Sequence, residues 1–267
     1  MNLADLVEPI VALSRQAGDA ILEVYATDFD VQAKDDDSPL TQADMAAHRV
    51  IDKGLKDLTP GIPVISEESG LPDFDERGQW ETYWLIDPLD GTKEFVNRNG
   101  EFTVNIALIQ ENRPVLGVVH VPVINKTYTG CEGRGATVRN DGGEPQPIEV
   151  ASKTSDPVRV VGSRSHRGAS LDAFLEQLGA VEMLAMGSSL KFCIVAEGKA
   201  DIYPRLGLTS EWDTAAAQAV VEQAGGAVVE LDGSPLAYNV KADILNPHFL
   251  VRGPEDRNWL GLLAASD

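Results

Sequence analysis

The sequence has few of the residues that mark secreted, zinc-binding or membrane proteins. Among its 267 residues are two cysteines, Cys131 and Cys193, and four histidines, and none of them forms a zinc-ligand pattern such as CxxC or HExxH. No apolar stretch approaches the roughly 18 residues of a membrane-spanning helix. The first segment, MNLADLVEPIVALSRQAG, lacks a basic leader and does not read as a signal peptide. We therefore expect a cytoplasmic protein with two free thiols.

Positive charge is also scarce. The 22 Lys and Arg residues against 42 Asp and Glu residues give a formal net charge of −20. Such a charge argues against a nucleic-acid polymer or an anionic membrane surface as the main partner. No polybasic or lipidation signal is visible, although the sequence leaves peripheral membrane attachment open. A small anionic substrate would require bound divalent cations, or a few Lys and Arg in one pocket, to reverse the local field.

The order of patterns along the chain predicts two subdomains, 1–151 and 152–267, with a cleft between them. Apolar residues at helical spacing predict a long first helix and a second one over Thr41–Leu58, whose Thr41-x-x-Asp44 start resembles a capping box. Short strands and tight turns then predict antiparallel hairpins. A linker rich in Gly and Pro follows over 140–157, and beyond it strands alternate with helices as in an α/β layered fold.

The segment YWLIDPLDGTKEF, residues 83–95, carries two aspartates where a buried strand is expected to end. Pro88 lacks an N–H, so it should end the strand and leave Asp87 at its carboxyl end. Gly91 permits a close backbone approach, and the amides of Gly91 and Thr92 could form an anion cradle. Carboxylates beside such a cradle suit Mg²⁺ bridging to a phosphate, with the Leu89 carbonyl as a further ligand.

Other acidic positions could join this site, but each has a simpler explanation. Glu67 and Glu68 follow a predicted strand and could form an exposed acidic loop. Asp213 opens an Ala-rich helix, where the helix dipole alone explains an aspartate, and Asp44 has its capping box. The Asp-Pro-Leu-Asp-Gly sequence is itself good turn chemistry. The residues alone leave both interpretations open, and a metal site requires that these carboxylates converge.

The motifs SEES, WLIDPLDGTKEF and SEWDTAAAQAVVEQAGG together resemble the inositol monophosphatase superfamily of metal-dependent, lithium-sensitive phosphatases. Within it, DPLDGTKEFVNRNGEFTVNIALI, GSRSH and GSSLKFC are most similar to the 3'(2'),5'-bisphosphate nucleotidases. The resemblance runs over nearly the whole chain. It implies an α/β fold, with an α+β N-terminal half and an α/β C-terminal half, layered as an αβαβα sandwich with the active site between the halves.

The resemblance also implies roles for individual residues. Asp44 would orient the Thr92 hydroxyl, which positions the attacking water. Two or three Mg²⁺ ions would be held by Glu67, Asp87, the Leu89 carbonyl, Asp90 and Asp213. The nucleotide would be contacted by Gly91, Thr92, His166, Ser188, Lys191, Arg205 and Asp213.

In the second half of the chain, the residues alone favour a ligand role over a structural one to different degrees. Lys191 lies in the first turn of a predicted helix, where a cation opposes the helix dipole, so ligand contact is favoured over a solvated lysine. His166 and Arg205 could equally be a loop histidine and an ion-pair partner.

The implied activity is Mg²⁺-dependent hydrolysis of the 3'-phosphate of adenosine 3',5'-bisphosphate to AMP, in sulfur assimilation. One alternative is a phosphatase of inositol phosphates or sugar bisphosphates on the same scaffold. A second alternative, from another class, is a metal-dependent anion-binding module without turnover, against which the Asp44–Thr92 pair argues. The sequence does not decide between a monomer and a homodimer.

Overall fold

The computed structural model describes residues 2–27, 39–162 and 169–264. The helices are α1 Leu3–Tyr25, α2 Pro39–Leu58, α3 Phe74–Arg77, α4 Thr92–Val96, α5 Ala169–Leu178, α6 Leu190–Ala196, α7 Glu211–Gln223 and α8 Trp259–Ala264. The strands are β1 Val64–Ser66, β2 Thr82–Asp90, β3 Thr103–Gln110, β4 Arg113–Val121, β5 Lys126–Cys131, β6 Gly135–Asn140, β7 Gln146–Ile148, β8 Val158–Gly162, β9 Val181–Ala185, β10 Ile202–Arg205, β11 Ala227–Glu230 and β12 Phe249–Arg252.

The first sheet is a meander in the order β1 to β7. Its strands are antiparallel except for the parallel pair β1 and β2. The turn between β3 and β4 places Glu111 and Asn112 at φ of 48° and 63°, the left-handed angles of a two-residue hairpin whose twist matches that of the strands. The predicted hairpin arrangement is thus present in the structure.

The second sheet has the order β11-β12-β10-β8-β9. Strands β8, β9 and β10 are parallel, whereas β12 runs antiparallel to both of its neighbours. This mixed sheet follows from the α/β alternation of the second half, because parallel neighbours need helical crossovers such as α5 and α6. The two sheets come from either side of residue 151, and the subdomain boundary there stays a prediction.

Apolar side chains divide the helices into three layers around the two sheets. On one face of the first sheet, α1 and α2 pack residues such as Ile10 and Ile51 against Ile106. Helices α6 and α7 lie between the sheets and share one apolar core with both. On the outer face of the second sheet, α5 and α8 bury Phe174 and Trp259. The result is the predicted αβαβα sandwich.

Helix α7 lies directly on the first sheet because the facing strands offer glycine. A Cβ at Gly117 would collide with the carbonyl oxygen of Ala216, and one at Gly130 would collide with that of Ala219. Small residues on both surfaces therefore allow backbone to approach backbone. This close packing fixes the distance between the first sheet and α7, whose first turn carries Asp213.

Three local predictions are wrong. Pro88 does not end its strand, because β2 continues to Asp90 through a register shift in which Asp87 pairs with Asn105 and Asp90 with Thr103. A bulge tolerates a residue without an N–H, so the proline is accommodated there. The predicted linker contains β7, which pairs with β6. Helix α2 begins at Pro39, so the predicted start at Thr41 lies inside the helix.

Candidate active site

The parallel pairing of β1 and β2 brings the first two acidic segments together. Ser66, the last residue of β1, lies opposite Ile86, so Glu67 follows β1 where Asp87 follows Ile86. The Ser66 hydroxyl accepts from the Glu68 amide at 3.3 Å and lies 2.9 Å from Nδ1 of His48. This local capping holds the short 3-10 turn that presents Glu67 at the carboxyl edge of the sheet.

The bulge in β2 directs its two aspartates by separate contacts. Asp87 is 1% exposed, and its Oδ1 accepts from the Leu89 amide at 3.0 Å. Asp90 Oδ2 accepts from the Ser189 amide at 2.5 Å and lies 3.5 Å from both the Thr103 hydroxyl and Asn105 Nδ2. Within the described chain, every hydrogen bond to Asp90 ends on Oδ2, so Oδ1 is left for another ligand.

Asp213 reaches the same place from the start of α7. Its Oδ2 accepts from the Ser210 amide at 2.9 Å in a capping box, so it does have the structural role of a first-turn aspartate. Burial, and next the charge of Asp90, raise the pKa of Asp213 to about 7. Asp90 contributes to this shift, so Asp213 lies near the acidic residues of β2 while it also serves the cap.

The pKa values show that the acidic side chains from four segments share one environment. Burial is the largest cause in every case, and neighbouring carboxylates add to it. The pKa of Asp87 is raised well above its usual range by burial and then by Glu67, Asp90, Asp213 and Asp44. The pKa of Asp44 is raised to about 8 by burial, Glu68 and Glu67. These carboxylates therefore lie near enough to influence one another, whereas their union in one metal site stays a prediction.

Glu67 lies at the rim of this group, because the residue as a whole is exposed while its carboxyl group is partly surrounded by protein atoms. Burial and Glu68 raise the pKa of Glu67, and a side-chain hydrogen bond with Asp87 opposes the shift. Two carboxyl groups share a hydrogen bond only when one carries a proton. A divalent cation between them would take the place of that proton.

The donor set suits a hard divalent cation, since it consists of carboxylates that repel one another around the buried Asp87. As the side chains stand, however, no three or more His, Cys, Asp or Glu residues within 2–27, 39–162 and 169–264 form a group that could hold a metal ion. The chemistry of the site therefore fits Mg²⁺, whereas ligation by Glu67, Asp87, the Leu89 carbonyl, Asp90 and Asp213 stays a prediction.

Gly91 lies where the predicted nucleotide-binding residues meet the predicted metal ligands. Gly91 has a φ of 100°, and a Cβ there would lie 3.1 Å from Cβ of Ser188 and 3.2 Å from Cα of Phe102. Helix α4 begins directly after it at Thr92, as expected for an amide cradle. Ser188 itself has a left-handed φ of 51°. The strained serine turn thus packs against the backbone that follows Asp90.

The two predicted cations of the second half lie near each other, and Lys191 contacts this turn. Lys191 is 8% exposed and donates to the Ser188 carbonyl oxygen at 2.7 Å. Burial lowers the pKa of Lys191 to about 8, against the opposing charge of Asp90. Arg205 donates to the Leu208 carbonyl oxygen at 2.5 Å and is close enough to Lys191 and Asp213 to shift their pKa values. Neither side chain is a freely solvated surface cation.

The proposed water-activating pair is not joined directly. Asp44 lies in α2 beside Glu67 and Glu68, and Thr92 begins α4. Among the hydrogen bonds of the described residues, none links the Asp44 carboxylate to the Thr92 hydroxyl, so this pair stays a prediction. His166 lies outside the described residues.

The sequence interpretation missed a set of polar residues that supports the site. Thr103 and Asn105 on β3, together with Ser189, form a buried hydrogen-bonded group beside Asp90. Glu101 accepts from the Gly187 amide at 2.8 Å and so fixes the start of the serine turn. The alternating pattern TVNIAL could have flagged Thr103 and Asn105, because two polar residues two apart in an apolar strand share one face.

Comparison with known proteins agrees with this fold and site. The model of the inositol monophosphatase family matches residues 2–265. The solved structure of CysQ from Bacteroides thetaiotaomicron, a bacterial member of that family, superimposes with a TM-score of 0.84 and 42% identity, covering 94% of this chain and 99% of that one. An inositol monophosphatase from Zymomonas mobilis shares the fold at a TM-score of 0.79 and 20% identity, covering 100% of this chain and 99% of that chain.

The chain belongs to the inositol monophosphatase family. The 3'(2'),5'-bisphosphate nucleotidase CysQ of Escherichia coli strain K12 is 50% identical to it over 248 residues, which cover 92% of this chain and 99% of that protein. The nucleotidase of the same name from Aggregatibacter actinomycetemcomitans is 36% identical and covers 95% of each chain. No helix in the described part of the chain is both long and apolar enough to cross a membrane.

Proposed function

We propose that this protein is a Mg²⁺-dependent 3'(2'),5'-bisphosphate nucleotidase that hydrolyses the 3'-phosphate of adenosine 3',5'-bisphosphate to AMP and phosphate. The observation that carries the proposal is 50% identity to nucleotidases of this activity over nearly their full length. The convergence of Asp44, Glu67, Asp87 and Asp213 supports it independently. The role would be in sulfur assimilation in the cytoplasm.

The carboxylates would hold two or three Mg²⁺ ions, which when bound neutralise phosphoryl charge and lower the pKa of a coordinated water. Asp87, deeply buried, would contribute Oδ2, because Oδ1 already accepts from the Leu89 amide. Asp90 would contribute Oδ1 and Asp213 would also contribute Oδ1, because the Oδ2 atom of each accepts a backbone N–H. Glu67 and the Leu89 carbonyl would complete the set.

The remaining residues would bind and orient the nucleotide. The Gly91 and Thr92 amides would receive the reacting phosphate, and the Thr92 hydroxyl, oriented by Asp44, would position the attacking water. Ser188, Lys191, Arg205 and His166 would contact the nucleotide and its second phosphate. The protonated Lys191 ammonium would offset substrate charge in a chain whose net charge is −20.

Phosphate release tests this function. The protein is assayed with adenosine 3',5'-bisphosphate over a wide range of Mg²⁺ concentrations, beside inositol 1-phosphate, inositol 1,4-bisphosphate and fructose 1,6-bisphosphate. We expect the highest kcat/KM with the nucleotide and none without divalent cation. A clear preference for an inositol or sugar phosphate overturns the substrate, and absence of release from all four overturns the activity.

Thr92→Ala separates an enzyme from a binding module. We expect this variant to keep nucleotide binding and lose most hydrolysis, since the hydroxyl acts on water and not on substrate affinity. Unchanged hydrolysis by Thr92→Ala would refute the role given to Thr92.

A further inference from the structure

Thr103 occupies a central position between the metal side and the substrate side of the site. It opens β3, is 0% exposed and pairs with Asp90 across the β2 bulge. Its hydroxyl oxygen lies 2.8 Å from the Ser188 hydroxyl and 2.9 Å from the Ser189 hydroxyl, whereas Asp90 Oδ2 is 3.5 Å away. The short contacts are to the serine turn, so Thr103 acts mainly on that turn.

The three hydroxyl groups form a chain with a defined direction. Ser189 donates to Asn105 Oδ1 at 2.9 Å, which leaves the Ser189 oxygen to accept from Thr103. Thr103 then accepts from Ser188, since each hydroxyl supplies one proton. The chain runs from Ser188 through Thr103 and Ser189 to Asn105. Successive hydrogen bonds of this kind strengthen one another in a buried site.

The same row of hydrogen bonds also fixes the carboxylate of Asp90, a predicted metal ligand. The Ser189 side chain is held by Thr103 and Asn105, and the Ser189 backbone N–H donates to Asp90 Oδ2 at 2.5 Å. The neighbouring Ser188 has a left-handed φ of 51°, a conformation that persists only when surrounding contacts hold it. Loss of the Thr103 hydroxyl would therefore release both the serine turn and the orientation of Asp90.

We propose that Thr103 is a positioning residue that holds the Ser188–Ser189 turn against Asp90 and so couples Mg²⁺ binding to nucleotide binding. The proposal rests on the proposed function for its choice of cation and substrate. When Ser188 turns its proton to a phosphoryl oxygen, Thr103 can turn its own proton to Ser188, and Ser189 still donates to Asn105. The turn thus stays anchored in both arrangements.

Thr103→Val tests the proposal, because valine keeps the shape and removes the hydroxyl. Thr103→Ser restores a hydroxyl as the conservative rescue. Thr129→Val is the matched control, since Thr129 is a buried threonine of the same sheet whose hydroxyl has no hydrogen-bond partner among the described residues. Each protein is titrated with Mg²⁺ while its melting temperature is followed, and kcat and KM are measured with adenosine 3',5'-bisphosphate.

We expect Thr103→Val to raise the Mg²⁺ concentration of half-saturation by about ten-fold, the usual cost of losing a partner of a metal ligand. KM for the nucleotide should rise with it. Thr103→Ser should recover most of both losses, and Thr129→Val should match the wild type. Equal half-saturation in Thr103→Val and Thr129→Val overturns the proposal, whatever the effect on the melting temperature without Mg²⁺.

Ser189→Ala is the second variant, for the case that Thr103→Val does not unfold cooperatively. It removes the next hydroxyl in the same row of hydrogen bonds and should shift the Mg²⁺ concentration of half-saturation in the same direction. An unchanged half-saturation in Ser189→Ala also overturns the proposal. The Mg²⁺ titration does not depend on turnover, so a wild type that binds Mg²⁺ but does not hydrolyse the nucleotide refutes the proposed function alone.

Discussion

Gly91 lies so close to Ser188 that a Cβ on residue 91 would be 3.1 Å from the serine Cβ. The contact joins the residue before α4 to the turn at Ser188, which leads into α6 and Lys191. Residues after Asp90 and residues before α6 therefore form one continuous wall of the site. Two properties of Gly91 make this possible, its small size and its φ of 100°.

Gly91→Ala should impair both stability and activity. Alanine at a positive φ costs about 1–2 kcal/mol of folding free energy, and its Cβ would push the serine turn away from Asp90. We expect a lower free energy of unfolding in urea and a raised KM for the nucleotide. Gly61→Ala is the control, because Gly61 also has a positive φ of 93° but nothing lies within 4 Å of its Cβ position. Equal KM values for the two variants would contradict the contact argument.

Asp87→Asn should stabilise the metal-free protein while abolishing hydrolysis. The folded-state pKa of Asp87 lies far above that of an unfolded aspartate, so without metal the carboxylate costs stability as the pH rises above about 4. In EDTA at pH 8 the variant should melt above the wild type, and the difference should shrink toward pH 4. Added Mg²⁺ should stabilise only the wild type. Asp19→Asn, at an exposed position of α1, should change neither.

Lys191→Met should weaken binding of the bisphosphate. Because burial lowers the pKa of Lys191 to about 8, the wild type loses the ammonium charge as the pH rises through that value. Substrate kcat/KM should therefore fall between pH 7 and pH 9 in the wild type, and lie lower with a flatter profile in the variant. We expect KM to rise by about ten-fold, as for loss of a charge-assisted hydrogen bond. Lys153→Met, at an exposed position, serves as the control.

His120 should make the fold sensitive to acid. Burial, and then the charge of Arg15, lower the pKa of His120 to about 4. The unfolded chain takes up a proton near pH 6.5 and the folded chain does not, so stability is present above that pH and is lost as the pH falls toward 4. The loss amounts to about 3 kcal/mol at most.

Urea unfolding at several pH values measures this effect. The stability of His120→Gln relative to the wild type should improve as the pH falls from 7 to 4. The exposed His248→Gln should show no such trend. Parallel pH profiles for His120→Gln and the wild type would contradict the assigned pKa.

The layers of the fold could be predicted because periodicity and turn residues act locally. Glu111 and Asn112 signal the β3–β4 hairpin, and the Ala-rich segment after Trp212 signals α7. The bulge at Pro88 could not be predicted, since a proline ends an isolated strand and only the pairing with Asn105 and Thr103 shows that β2 continues. Strand β7 was missed because its pairing with β6, not its own composition, makes it a strand.

The sequence pointed to the carboxylates of the candidate site but not to the hydroxyl groups that hydrogen-bond beside them. Asp87 and Asp90 stand out in the sequence because two charges interrupt an apolar run. Ser189 and Thr103 do not, because the role of a hydroxyl depends on which distant residue it meets. Asp213 was ambiguous in sequence, and the structure shows it as a cap whose pKa is also raised by Asp90, while its role as a metal ligand stays a prediction.

The close packing of α7 on Gly117 and Gly130 limits the substitutions that this fold can accept over evolutionary time. Any side chain added at either glycine would lift the helix and carry Asp213 away from Asp87 and Asp90. A larger residue at position 117 or 130 is therefore incompatible with Asp213 keeping its place beside Asp87 and Asp90. The position of one predicted metal ligand thus depends on the packing of backbone against backbone inside the fold.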